Sequence, residues 1–201
     1  MPPIRHPAPD NPRVQRTRAR ILATARELLA GAGPAGLTYS RLAERAGVTR
    51  QTLYRHWPAR SGLLVDLILE GPEVGYPEPG ADPRAVATAW LVSLRAGLED
   101  PAARAAVLAV TAEADHDPDC ARALEGIAAD RLAALNDLLA PSGCRLTADD
   151  YMLLTGPLLA RLFFERADVT SGFLDAVVSQ WLCHYDHCGQ SGSDGGGPGG
   201  P

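Results

Sequence analysis

Between Thr38 and Trp57 the chain reads TYSRLAERAGVTRQTLYRHW, and few arrangements accept that run. Thr38 can N-cap a short helix that continues to Ala46, because its hydroxyl can accept one of the unpaired N–H groups of a first turn. Leu42, Ala43 and Ala46 then share an inward side. Gly47 and Val48 make a tight turn, since glycine tolerates the positive φ such a turn needs. Thr49 is a second N-cap, for a helix from Arg50 to about His56 that Pro58 ends. Ala43 is small where the two helices approach, and Val48 and Leu53 plug the joint. Two short helices joined by a glycine-containing turn make a helix-turn-helix.

The second helix exposes polar groups, Arg50, Gln51 and Thr52, suited to base edges. Its N-terminus carries backbone N–H groups suited to phosphates. The charge distribution agrees. The 201 residues carry net charge -5, but residues 1–60 hold eleven arginines against three acids, and residues 61–201 hold eight against 21. A basic head on an acidic body points to a polyanion partner for the head alone. All nineteen cations are Arg. Arg offers a planar fork for phosphate and guanine. A GC-rich coding bias explains the choice of Arg over Lys equally well, but not the clustering.

The rest of the chain reads as helical, so the expected fold class is all-α: a three-helix head and a helical body. Almost no stretch alternates with period two. Ile21, Leu22, Ala25, Leu28 and Leu29 form a stripe on a helix from about Thr17 to Gly31. A fourth helix spans about Arg60–Glu70, and a Pro/Gly-rich linker covers Gly71–Pro83. Further helices are expected at about Arg84–Leu98, Ala102–Ala114, Pro118–Leu139, Thr147–Glu165 and Ser171–His187. The expected domains are a flexible arm at 1–15, a basic helical head at 16–60 suited to DNA, an acidic helical body at 61–188, and a disordered Gly-rich tail at 189–201. The start has no apolar core of a signal peptide, and no run approaches the ~18 apolar residues of a membrane span. A cytoplasmic protein with reduced thiols is expected.

The run LAERAGVTRQTLYRHWPARSGLL resembles the DNA-binding domain of TetR-type transcriptional regulators, over about residues 16–70. Thr52-Leu53-Tyr54 followed by His56 and an aromatic residue carries most of that resemblance. The resemblance implies that Arg50, Gln51 and Thr52, behind the Thr49 cap, sit at base edges. Tyr54, His56 and Arg60 would reach phosphates. Thr38 and Tyr39 would touch the backbone, and Arg16, Arg18 and Arg20 an adjacent groove or backbone. Two positions depart from the family's pattern: Ala59 replaces a capping residue and Gly62 a helix former, so Ser61 can start the fourth helix later.

One short recognition helix gives little specificity alone, so a homodimer on a palindromic operator is expected. Leu153, Leu154, Leu158, Leu162 and Phe163 form one broad apolar face and Phe173, Val177, Trp181 and Tyr185 another. Leu158, Leu162, Phe163, Phe173, Val177 and Trp181 are the candidate interface, and the faces are expected to be a mixture of interface and core within one chain. The resemblance places a small-molecule effector in the body, for which Trp90, Leu94 and Leu108 are candidate contacts. No cofactor or metal is expected. A metal or thiol sensor built on the Cys120 loop or the Cys183–Cys188 helix end is an alternative. An enzyme is a rival without support, as no catalytic spacing or phosphate loop occurs. A sequence-neutral DNA-packaging protein is a third, against which the Arg50-Gln51-Thr52 surface argues.

Overall fold

The computed structural model describes residues 11–69 and 76–190, with side chains to residue 185. Among these residues there are nine α-helices and no strand. They are α1 (Pro12–Gly36), α2 (Tyr39–Ala46), α3 (Arg50–His56), α4 (Arg60–Leu69), α5 (Pro83–Glu99), α6 (Pro101–Glu113), α7 (Pro118–Leu139), α8 (Ala148–Ala160) and α9 (Ser171–Gln190). A 3₁₀ turn (Ala140–Ser142) follows α7, and a π-helical turn (Arg161–Glu165) widens the end of α8, where sequence periodicity suggests one unbroken helix.

α1 starts five residues before the apolar stripe suggests. Asn11 caps it, its side chain accepting from the Arg13 N–H at 2.9 Å, and Pro12 supplies the first helical residue. The helix breaks at Gly33, whose φ of 65° lies in the left-handed region. α4 starts at Arg60, not later: Ser61 already lies inside the helix and is buried.

The described residues gather into two compact units. One draws on residues 11–69 and 96–131, the other on 76–95 and 132–190. The first unit has one apolar core. Ile21, Ala25, Leu28 and Leu29 of α1 meet Leu42 and Ala46 of α2, Leu53 of α3, and Leu63, Leu64 and Leu67 of α4. Ala102, Ala106, Ala109 and Val110 of α6 complete it, together with Cys120 from the start of α7. α6 therefore packs on α1 and α4 of the basic head. Its small residues allow close approach of backbones, which is what an Ala-rich helix contributes to a core.

In the second unit α8 and α9 pack together. Trp90 and Leu91 of α5, Leu135 and Leu139 of α7, Leu154 and Leu158 of α8, and Leu174, Val178 and Trp181 of α9 are buried there. The Asn136 side chain holds the Leu146 backbone from both sides, donating to its carbonyl at 3.1 Å and accepting from its N–H at 2.7 Å.

Candidate nucleic-acid interface

Local chemistry builds the helix-turn-helix. Thr38 accepts from the Arg41 N–H at 3.3 Å and so starts α2. Gly47 ends α2 at φ 62°, its N–H directed at the Ala43 and Glu44 carbonyls. Thr49 accepts from the Thr52 N–H at 3.1 Å and starts α3. Leu53, fully buried, pins α3 to the core, where truncation to Ala costs ~2–5 kcal/mol. With that side inward, Arg50, Gln51, Tyr54 and Arg55 are exposed.

Each expected contact residue has a definite place. Arg50 is exposed, and its Nη2 donates to Ser40 Oγ at 2.5 Å. Gln51 is exposed; Thr52 is half-buried, its hydroxyl 3.0 Å from that of Thr49. Tyr54 is 52% exposed and its ring packs on Tyr39, centroids 4.9 Å apart. The Tyr39 hydroxyl is turned inward and donates to the Trp57 carbonyl at 2.8 Å. Burial, reinforced by Tyr54, pushes its pKa up to about 12, so it stays a donor. Thr38 and Arg16 are exposed. His56 is half-buried against Trp57, and its Nε2 has no hydrogen-bond partner. Desolvation first, then Arg55 and Arg18, hold its pKa below the usual imidazole range. A ring held below that range is neutral at pH 7.

Two of the arginines expected on DNA point into the protein. Arg18 donates to Asp66 at 2.5 Å and lies over the Trp57 ring, 5.5 Å from its centroid. Arg60 donates to the Pro34 carbonyl at 2.8 Å and to the Glu113 carboxylate. The reason is shared: each lies beside a carboxylate on a neighbouring helix. Arg26 repeats the pattern, donating to Asp100 at 2.9 Å and to the Leu67 carbonyl at 2.9 Å.

Three features were missed in the sequence reading. Asp66 is 3% exposed and accepts from Trp57 Nε1 at 2.5 Å as well as from Arg18. An acid inside the apolar run Leu63-Leu64-Val65-Asp66-Leu67 was the available signal, because a buried carboxylate needs partners. The second is a groove of about 590 Å³ between the start of α1 and α3, lined by Arg13, Thr17, Arg20, Thr49, Arg55 and His56. Arg13, Arg20 and Arg55 are all exposed. The third is the partner of the Cys120 loop. The ligand atoms of Glu113, Asp117 and Cys120 lie within 4.8 Å of one another. The Cys120 thiol, fully buried, donates to Asp117 at 3.6 Å and Glu113 at 3.8 Å. Burial, then Asp117, push its pKa up, which keeps it a protonated donor. Asp186, His187 and Cys188 of the other cluster lie outside the described side chains.

Residues 21–67 match the family model of bacterial regulatory proteins, tetR family. Over that segment the chain is similar to the TetR family. Solved structures, several of them described as TetR-family regulators, share its fold over most of the length. The TetR family transcription regulator SCO0332 is 27% identical at TM-score 0.62, covering 84% of this chain and 97% of that one. A multidrug binding protein, EbrR, complexed with imidazole, is 19% identical at TM-score 0.58, covering 88% and 97%. A TetR transcriptional regulator from Agrobacterium tumefaciens is 21% identical at TM-score 0.59, covering 85% and 94%. By sequence, no curated protein matches the chain. The match places Leu42, Leu53 and Trp57, the core of the TetR-type head, inside the matched segment, and leaves Arg13, Arg16, Arg18 and Arg20 before it.

The remaining expected sites lie outside the TetR-type head. Trp90 is buried in the second unit; Tyr76 stacks on it at 5.3 Å and 6°, Tyr151 meets it edge-on at 6.5 Å, and its Nε1 has no hydrogen-bond partner. Leu94 is half-buried in the same unit, whereas Leu108 is exposed and belongs to the first. Leu158, Leu162, Val177 and Trp181 are buried within the single chain, and Phe163 and Phe173 are half-buried. The exposed apolar residues of that region are instead Met152, Leu153 and Phe164. Leu153 and Pro157 border a groove of about 420 Å³ with Ala176, Gln180 and Trp181. Among the described residues no helix is long and apolar enough to cross a membrane.

Proposed function

We propose that the chain is a dimeric, sequence-specific DNA-binding transcriptional regulator, a repressor released from a palindromic operator by a small-molecule effector. The observation that carries this reading is the outer side of α3: Arg50, Gln51, Tyr54 and Arg55 are exposed on a short helix fixed by Leu53. Arg13, Arg16 and Arg20 add exposed positive charge on the same unit. The reading assigns base edges to Arg50, Gln51 and Thr52, and phosphates to Tyr54, Thr38, Arg13, Arg16, Arg20 and Arg55, with His56 as a neutral hydrogen-bonding group. Arg18, Tyr39 and Arg60 support these residues from inside. Residues 16–60 form the DNA-binding domain and 61–188 the ligand-binding and dimerisation domain.

Dimerisation follows from the need for two heads, with half-sites ~34 Å apart or somewhat more. The exposed Leu153, bordering the α8–α9 groove, and the exposed Met152 beside it in sequence supply its apolar contact. The effector is small and mostly apolar, held beside Trp90, whose unpartnered Nε1 supplies a donor. EbrR, a multidrug binding protein of similar fold, supports a ligand-binding body. The protein is not an enzyme and works in the cytoplasm. Selection of bound sequences from random duplex DNA tests the reading. The expected result is an enriched palindrome that Tyr54→Ala binds weakly while remaining folded; no enrichment would overturn it.

A further inference from the structure

The DNA reading leaves open what sets the direction of Arg50, the first residue of α3. A long, exposed guanidinium samples many rotamers, and that freedom opposes a bidentate contact. Here one partner restricts it. Arg50 Nη2 donates to Ser40 Oγ at 2.5 Å, across ten residues of sequence and from one helix of the motif to the other. Both residues are exposed, so the contact contributes nothing to the core and little to stability. The neighbouring hydroxyls have other engagements: Thr49 caps α3 and its Oγ1 lies 3.0 Å from that of Thr52. Ser40 is therefore placed to act on Arg50 alone. One hydrogen bond to Nη2 leaves Nε, Nη1 and the second Nη2 hydrogen, which suffices for a two-pronged donor edge. In the major groove only guanine offers two adjacent acceptors, O6 and N7, to such an edge.

We infer that Ser40 is a specificity-positioning residue: it holds Arg50 so that the guanidinium reads a guanine at a fixed position in each half of the bound site. The inference rests on the DNA reading above and adds a residue outside the recognition helix to it. Ser40 itself touches no base. Its effect passes through Arg50, so removing both side chains should give the same phenotype as removing Arg50.

The test uses the full chain and the duplex enriched from random sequence, with each base pair of one half-site replaced in turn. The wild type should discriminate against loss of one particular G·C pair by roughly five- to 150-fold. Arg50→Ala should abolish discrimination at that pair only. Ser40→Ala should reduce it by roughly two- to tenfold at the same pair, with unchanged affinity for a scrambled duplex. Ser40→Thr, which keeps the hydroxyl, should restore it, and Ser40→Ala/Arg50→Ala should match Arg50→Ala. Wild-type discrimination by Ser40→Ala, or loss at a different pair, would overturn the inference while leaving the DNA reading intact. A uniform loss across all duplexes would also overturn it, by showing Ser40 on the phosphate backbone. Absence of any preferred duplex for the wild type would instead overturn the DNA reading.

Discussion

Replacing Asp66 by Ala removes the group that ties α4 to both α1 and the end of α3. Asp66 accepts from Trp57 Nε1 and from Arg18, each at 2.5 Å. A hydrogen bond to a charged group contributes ~1.5–3 kcal/mol, and the buried indole N–H is left without an acceptor when it goes. The Arg18 side chain is 18% exposed and can turn toward water, so loss of its ion pair adds nearer ~1 kcal/mol. The total is about 3 kcal/mol. With a urea slope of ~2 kcal/mol/M, the midpoint followed by circular dichroism should fall by ~1.5 M. Asp66→Asn keeps an acceptor for Trp57 and should lose about half as much. A double-mutant cycle with Arg18→Ala should give a coupling of ~1 kcal/mol. The reasoning fails if Asp66→Ala is within ~0.5 kcal/mol of wild type, or if the cycle shows no coupling.

Three further outcomes follow from the same contacts. Arg60→Ala should destabilise the protein by ~1–2 kcal/mol and leave the salt dependence of DNA binding unchanged, because its partners are Pro34 and Glu113; a log–log slope shallower by ~0.9 would place it on a phosphate. His56 has a folded pKa below its unfolded value of ~6.5, so the unfolded state takes up the proton first. Stability is then full above pH ~6.5 and is lost as pH falls from there through the folded pKa; His56→Gln should flatten that slope between pH 7.5 and 5.5, and an unaltered slope would contradict the assignment. Leu153→Asp, at a residue 48% exposed beside the α8–α9 groove, should shift sedimentation from dimer to monomer without lowering helix content, and an intact dimer would move the interface elsewhere.

The head was legible because local rules build it. Thr38, Gly47 and Thr49 act within four residues of themselves, and the apolar spacing of Leu42, Ala46 and Leu53 leaves one way to pack. Even so, Asn11 and Pro12 lengthened α1, since a cap precedes any periodic pattern. What failed to show was long-range. Arg18 and Asp66 are 48 residues apart, and Arg60 and Glu113 are 53 apart, so nothing in the local pattern distinguishes them from arginines that face outward. The same limit applies to α6, whose alanines could pack on any helix but lie in the core with α1 and α4. Periodicity marked Leu158, Leu162, Val177 and Trp181 as apolar faces without saying what covers them, and each is buried within the chain. Leu153, a member of the expected apolar face, and its neighbour Met152 are the large apolar residues of α8 left outside.

The most direct test is titration of the full chain onto its selected duplex and onto a scrambled duplex of equal length, across a series of salt concentrations. Four or five phosphates per head predict a log–log slope near -7 to -9 on the selected duplex, and a preference of at least ~10³ over the scrambled one at physiological salt. Equal affinity for both duplexes would contradict sequence-specific regulation by this chain.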